Sequence, residues 1–168
     1  MKTILSRMKT LVENNKISGG TLAYVQDVEI VHPEIALTNI TIASLPKILL
    51  VPVSTVETWI ASMRKEAKNI VIAYLILLYR QRESSIIGDS TRPGGQGKGI
   101  ADFVADFETV FRGHRLSSGG TIYLDKPLDF TSIEYVTQEF GDEGYLIVSA
   151  ITMECSRIFE QASLPGNV

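Results

Sequence analysis

The sequence predicts an α+β domain: a mostly antiparallel β-sheet with a long central hairpin, packed against two helices. Three observations carry this. Ile70-Val71-Ile72-Ala73-Tyr74-Leu75-Ile76-Leu77-Leu78-Tyr79 is a continuous apolar run that reads as a buried strand. A glycine-rich polar loop over residues 84–99 follows it and leads into a short amphipathic helix. Two further strand-like runs, rich in β-branched and aromatic residues, come after that helix.

Size and composition bound the architecture. A chain of 168 residues and 18.5 kDa is one domain with room for a substantial core. The expected domain covers residues 1–162, with 163–168 as a flexible tail. Hydrophobic content of 45% and charged content of 21% are those of a globular protein. The net charge of −3 argues against a nucleic-acid-binding face, which needs basic residues to neutralise phosphates. Cys155 is the only cysteine, so no intrachain disulfide can form, and a reducing compartment is expected. The apolar run has 10 residues and is flanked by Lys65, Glu66 and Lys68 on one side and Arg80, Arg82 and Glu83 on the other. A spanning helix needs about 20 apolar residues, so no membrane segment is expected. The first residues carry recurrent charge at Lys2, Arg7 and Lys9 and do not resemble a signal peptide.

Element by element, Ile4, Leu5, Met8, Leu11 and Val12 stand at helical spacing, and the helix should end near Asn14 and Asn15, before Ser18-Gly19-Gly20. Residues 21–31 alternate loosely and read as a strand stopped by Pro33; residues 37–43 read as a connector. Residues 47–53 are apolar, with Pro46 and Pro52 marking an edge or strand end. Residues 54–64 are in conflict. Ser54-Thr55-Val56-Glu57 has the form of a capping box, yet 55–60 is rich in strand formers. A strand is preferred here, because a hairpin gives the apolar run an antiparallel partner, with 64–69 as the polar turn and 69–82 as the longest strand. Ile100, Phe103, Val104, Phe107, Val110 and Phe111 define one helical face, with Asp102 and Asp106 in its N-terminal half and Arg112-Gly113 at its end. Residues 121–124 and 132–140 read as strands, Gly141-Asp142-Glu143-Gly144 as a hairpin turn, and 145–159 as the last strand, with Ile147, Ile151, Met153 and Cys155 on one side.

The chemical inventory is sparse. Gly97-Lys98 has Arg92 where a P-loop requires glycine and Gly99 where it requires a hydroxyl, so the lysine cannot be held against a phosphate in that way. The loop does precede a helix N-terminus, which attracts anions, but a flexible or assembly loop accounts for it more simply. His32 and His114 are far apart in sequence and both sit beside turn residues; they read as exposed turn histidines, not zinc ligands. There is no Gly-x-Ser-x-Gly elbow, and neither histidine has a placed nucleophile. Asp102 and Asp106, at i and i+4, read as helix N-terminal charges before they read as a carboxylate pair. Glu139, Asp142 and Glu143 read as a solvated hairpin tip. Trp59 is either a binding anchor or part of the core. No catalytic residue, cofactor site or metal site emerges, and the chain is not expected to be an enzyme.

The order of elements resembles that of the tail terminator and tail-completion proteins of long-tailed bacteriophages, over about residues 1–160. The resemblance rests on Pro46-Lys47-Ile48-Leu49-Leu50-Val51-Pro52 before the hairpin, the long strand over 69–79, and Gly99-Ile100-Ala101-Asp102-Phe103-Val104-Ala105-Asp106-Phe107 as the second helix. Leu116-Ser117-Ser118-Gly119-Gly120 and the closing strand to Phe159 complete it. It is a likeness of layout, without a diagnostic motif, and the first strand and residues 33–45 fit it least.

The resemblance implies a virion structural protein, assembled in the host cytoplasm and placed at the tail-neck junction. It implies a homo-oligomer, a hexameric ring, that caps the tail tube, ends its polymerisation and meets a head-completion or neck protein. DNA would pass through the lumen without being read. Trp59, Arg92, Gln96 and Lys98 are the assembly-contact candidates, with the 84–99 loop reaching towards the tail tube or a neighbouring subunit. A neck or head-closure adaptor, and a small-molecule-binding α+β module, are the alternatives.

Overall fold

The structure, a computed structural model, describes residues 1–35, 37–38, 40–61, 64–79, 87–88, 97–117, 120–139, 142 and 144–160. It is α+β, as the sequence predicts. Helix α1 (Lys2–Asn15) buries Ile4, Leu5, Met8 and Val12 along one stripe. Its end is fixed by a close backbone approach: Leu22 N–H donates to Asn15 O at 3.0 Å, and a Cβ on Gly20 would lie 2.3 Å from that same oxygen. Only glycine fits there.

The predicted strand over 21–31 shortens to β1 (Asp27–Ile30). Residues 20–25 form tight turns instead, with Ala23 N–H on Gly20 O and Val25 N–H on Leu22 O. Those local bonds use backbone groups that a ladder would need, and they turn Leu22 and Val25 into the core. The 31–45 connector contains two short 3₁₀ turns, Pro33–Ile35 and Ile42–Ser44.

β2 (Lys47–Ala61) and β3 (Arg64–Tyr79) form the long hairpin, so residues 54–61 are strand. The polar segment 64–69 is not the turn. It belongs to β3, whose pairing with β2 begins at Arg64 with Ala61; residues 62–63 lie outside the described residues. Polar residues are tolerated in this part of β3 because the buried ones are paired: Glu66 accepts from Lys126 and Ser156, and Asn69 bonds Thr55 and the Cys155 carbonyl. The expected strand end at 80–82 also lies outside the described residues.

Helix α2 (Ile100–Phe111) buries Ile100, Phe103, Val104, Phe107 and Phe111. Gly99 N–H donates to the Asp102 carboxylate at 3.0 Å and caps its start, and Gly113, at φ +74°, ends it. Residues 121–124 are irregular apart from one bridge at Thr121, since Tyr123 and Leu124 N–H both turn back to Arg115 O. β4 (Asp129–Glu139) and β5 (Tyr145–Glu160) close the sheet as a hairpin whose last pair is Glu139 with Tyr145.

The strand order is β1-β2-β3-β5-β4; β1 runs parallel to β2 and the other three pairings are antiparallel. Both helices pack on one face, over Ile48, Leu50, Val71, Ala73, Leu75, Leu77, Ile147, Ile151, Met153 and Cys155. The opposite face buries Leu49, Ile76, Leu146 and Val148 beneath Val31, Ile40 and Leu45 of the connector. Cover on both faces explains why residues 70–79 read as an unbroken apolar run rather than an alternating one. Beyond a bulge between Pro52 and Ser54, that cover ends, and β2 is exposed from Val53 to Ala61.

Candidate functional site

The distal half of the β2-β3-β5 ribbon is bare on β2, from Val53 to Ala61, while β3 and β5 beside it bury Glu66, Ala67, Asn69 and Ser156 and bond residues 123–126. Trp59 is 51% exposed there, so it is not part of the core. Lys65 Nζ lies 4.6 Å from the centre of its ring and 3.5 Å from Glu57 Oε2. Trp59 pairs with Lys65 and Lys65 with Phe159, which places two exposed aromatic rings and a cation in one row across three strands. Val53, Val56 and Ile60 are exposed on the same projection, with Val56 on the face opposite Trp59.

Ion pairs stiffen this projection. Glu66 Oε1 accepts from Lys126 Nζ at 2.7 Å and from Ser156 Oγ at 2.5 Å. The Lys126 ammonium, then the Ser156 hydroxyl, hold the Glu66 carboxyl below its ordinary range, against some desolvation. Lys68 Nζ sits 3.0 Å from Glu154 Oε1, which raises the Lys68 pKa.

Two strand edges are open among the described residues. β1 pairs with β2 only as far as Leu50, leaving the outer edge of β2 from Pro52 onwards without a strand. β4 is the last strand at the other side and exposes Tyr135 and Val136. Open edges bearing apolar side chains are templates for pairing with another chain.

Lys98 stands at the base of the glycine loop and is engaged internally. Its ammonium bonds the Asp106 carboxylate and lies 4.9 Å from the Tyr24 ring centre, while Tyr24 Oη donates to the same Asp106 oxygen at 2.9 Å. Burial first, then the neighbouring carboxylates, push the Tyr24 pKa well up. Tyr79 Oη donates to the Lys98 carbonyl, which ties the end of β3 to the start of α2. A Cβ on Gly88 would lie 2.2 Å from Gly97 O, so residue 88 also packs on this base. Arg92 and Gln96 lie outside the described residues. The structure therefore does not bring the four assembly candidates into one described site: Trp59 is on the ribbon and Lys98 is at the loop base.

The remaining candidates have local roles. Asp102 caps α2, and Asp106 serves Tyr24 and Lys98. His32 is exposed beside Glu34. His114 differs from the exposed turn residue expected: it is half-buried, and its Nδ1 accepts Leu116 N–H at 2.8 Å. Cys155 is buried in β5, and desolvation with Glu154 beside it pushes its thiol up to about 12. Among the described residues, no three His, Cys, Asp or Glu side chains are grouped to hold a metal ion. No described helix is long and apolar enough to cross a membrane.

The Tyr24-Asp106-Lys98 cluster was not foreseeable: Tyr24 and Asp106 are 82 residues apart, and neither carries a local motif. The chain matches no protein-family model and no curated protein.

Proposed function

We propose that this protein is a virion structural protein that assembles into a hexameric ring on the head-proximal end of a phage tail tube. The ring ends tube polymerisation and offers a surface to a head-completion protein, and DNA passes through its lumen unread. The resemblance in element order motivates this reading. The observation that carries it is the bare distal half of β2, with Trp59, Val56 and Ile60 exposed beside its open edge. Exposed apolar side chains on a strand without a neighbour favour association.

Strand direction is compatible with a ring. Three successive antiparallel pairings make β2 and β4 run in opposite directions. β4 lies level with β5 Tyr145–Glu154, whereas the open β2 edge lies level with β5 from Met153 onwards, so the β4 edge of a neighbouring copy meets that edge antiparallel only after a shift along the strands. Such a head-to-tail contact uses two different surfaces, and it closes into a ring when the rotation divides the circle and the shift has no component along the ring axis. The loop over 84–99, with Arg92 and Gln96, would contact the tail tube or the next subunit.

The test is to add purified protein to polymerising tail-tube protein and image the products by negative-stain electron microscopy. Tubes capped at one end, with growth halted, are expected. Uncapped tubes that grow to the same lengths with and without the protein would overturn the proposal.

A further inference from the structure

A groove of about 400 Å³ opens between α1 and the segment that follows α2. Arg7, Thr10 and Asn14, one helical stripe of α1, face His114, Leu116 and Ser117 across it. No carboxylate is among the described lining residues. The volume falls towards the lower end of the ~300–1,000 Å³ that small-molecule sites occupy.

Two features show that this groove is built rather than left over. Leu116 is buried and holds φ +50°, a left-handed conformation that a branched side chain rarely adopts. Both of its backbone groups are held by the basic residues of the groove: its N–H donates to His114 Nδ1 at 2.8 Å, and its carbonyl accepts from Arg7 Nη1 at 2.7 Å. The same contacts fix the basic residues. Because His114 Nδ1 is an acceptor, the neutral ring carries its proton on Nε2 as a donor. Arg7 is further held by the Tyr123 ring, 4.6 Å from its guanidinium carbon. Arg157 lies 4.2 Å from that ring and donates to Tyr123 Oη at 3.0 Å.

Electrostatics supply the ligand class. Neither Arg7 nor Arg157 has a carboxylate partner among the described residues, although both are half-buried. A half-buried guanidinium with donors to spare matches an oxyanion, which its planar fork binds through two parallel bonds. The Asn14 amide and the Ser117 hydroxyl add neutral polar groups, and Leu11 adds apolar surface.

We propose that the groove between α1 and residues 113–117 binds a small oxyanion-bearing molecule, a phosphate or a carboxylate, on the Arg7 guanidinium. The site does not depend on assembly, and it stands whether or not the protein caps a tail tube.

The experiment is a ¹⁵N–¹H NMR titration of the full chain with sodium phosphate and, separately, with sodium acetate. Sodium chloride at matched ionic strength is the control. Saturable shifts at the Leu11, Asn14, Leu116 and Ser117 amides are expected with at least one of the two anions; the anion that produces them identifies the ligand group. Ser117→Asp and Asn14→Asp place a carboxylate in the groove without touching the bonds to Leu116, and each should weaken binding by about tenfold or more. Arg7→Ala should abolish it; should that variant unfold, the two Asp variants carry the test. Shifts that grow linearly and match chloride, or Asp variants that bind as tightly as the parent, would overturn the proposal.

Discussion

Replacing Trp59 by alanine separates a stability role from an assembly role. The indole is half exposed and lies against the Lys65 ammonium, 4.6 Å from the ring centre. An exposed cation–π contact contributes ~0.5–1 kcal/mol. Lys65 retains Glu57 after the substitution. Trp59→Ala should therefore lower the stability of the folded subunit by no more than about 1 kcal/mol, or about 2–4 °C in Tm for a domain of this size. Its cost in assembly is larger. An aromatic anchor at the centre of an interface contributes about 2 kcal/mol or more, which is about 30-fold in the affinity of each contact. Thermal melts followed by circular dichroism, beside sedimentation velocity over a concentration series, read the two quantities separately. A normal melt with lost assembly is expected. A melt that falls by as much as for a core truncation would refute the reading of the ribbon as bare. Undiminished assembly would refute Trp59 as a contact.

Phe107→Ala supplies the core comparison. Phe107 is fully buried, stacks on Phe111 with centroids 4.4 Å apart and meets Phe130 edge-on, so its truncation should cost ~3–5 kcal/mol in a denaturant melt. Glu66 gives a pH dependence. Its folded pKa lies below the ordinary 4.5, so the stability it adds is complete above 4.5 and is lost as pH falls through the folded value. Glu66→Gln should flatten the acid limb of the stability–pH curve, and an unchanged limb would contradict the Lys126 and Ser156 contacts. Tyr24→Phe removes the bond to Asp106 and should cost ~1.5–3 kcal/mol, because the acceptor is charged. Iodoacetamide should leave Cys155 unmodified in the native protein and alkylate it in denaturant, as mass spectrometry would read, because the thiol is buried and largely protonated at neutral pH.

Much of the fold was legible because apolar periodicity reports burial directly. The stripe of Ile100, Phe103, Val104, Phe107 and Phe111 identified α2, and Asp102 and Gly113 marked its ends. The continuous run at 70–79 identified a buried strand, which the structure covers on both faces. The reading failed where polarity was taken to mean a turn. Residues 64–69 are polar within a strand because Glu66 and Asn69 are buried on partners from distant segments, Lys126, Ser156, Thr55 and Cys155, a tertiary circumstance that leaves no local signal. It failed again at 20–25, where Leu22 and Val25 are buried by turns instead of by a ladder. Trp59 was legible as a candidate but not as an exposed one, since exposure depends on where the helices stop. The groove at Arg7 was invisible, because its two walls are separated by about a hundred residues and the left-handed Leu116 has no sequence signature.

The same separation of core and ribbon shapes any deletion in the glycine loop. Removing residues 91–98 takes out Lys98, and with it the tie to Asp106 and Tyr79, so loss of attachment in that variant would be confounded by a weakened base. Removing residues 91–96 spares both contacts and isolates Arg92 and Gln96. That variant should melt as the parent does and fail to bind tail tubes; tube binding that survives the deletion would exclude the loop as a contact.

The central claim, that the bare ribbon and open edges are covered by further copies of the chain, is tested most directly by native mass spectrometry of the purified protein across a concentration series, with and without tail tubes. A six-subunit species is expected, either in the protein alone or in rings that form once tail tubes are added. A monomer at every concentration, unchanged by tail tubes, would contradict the account.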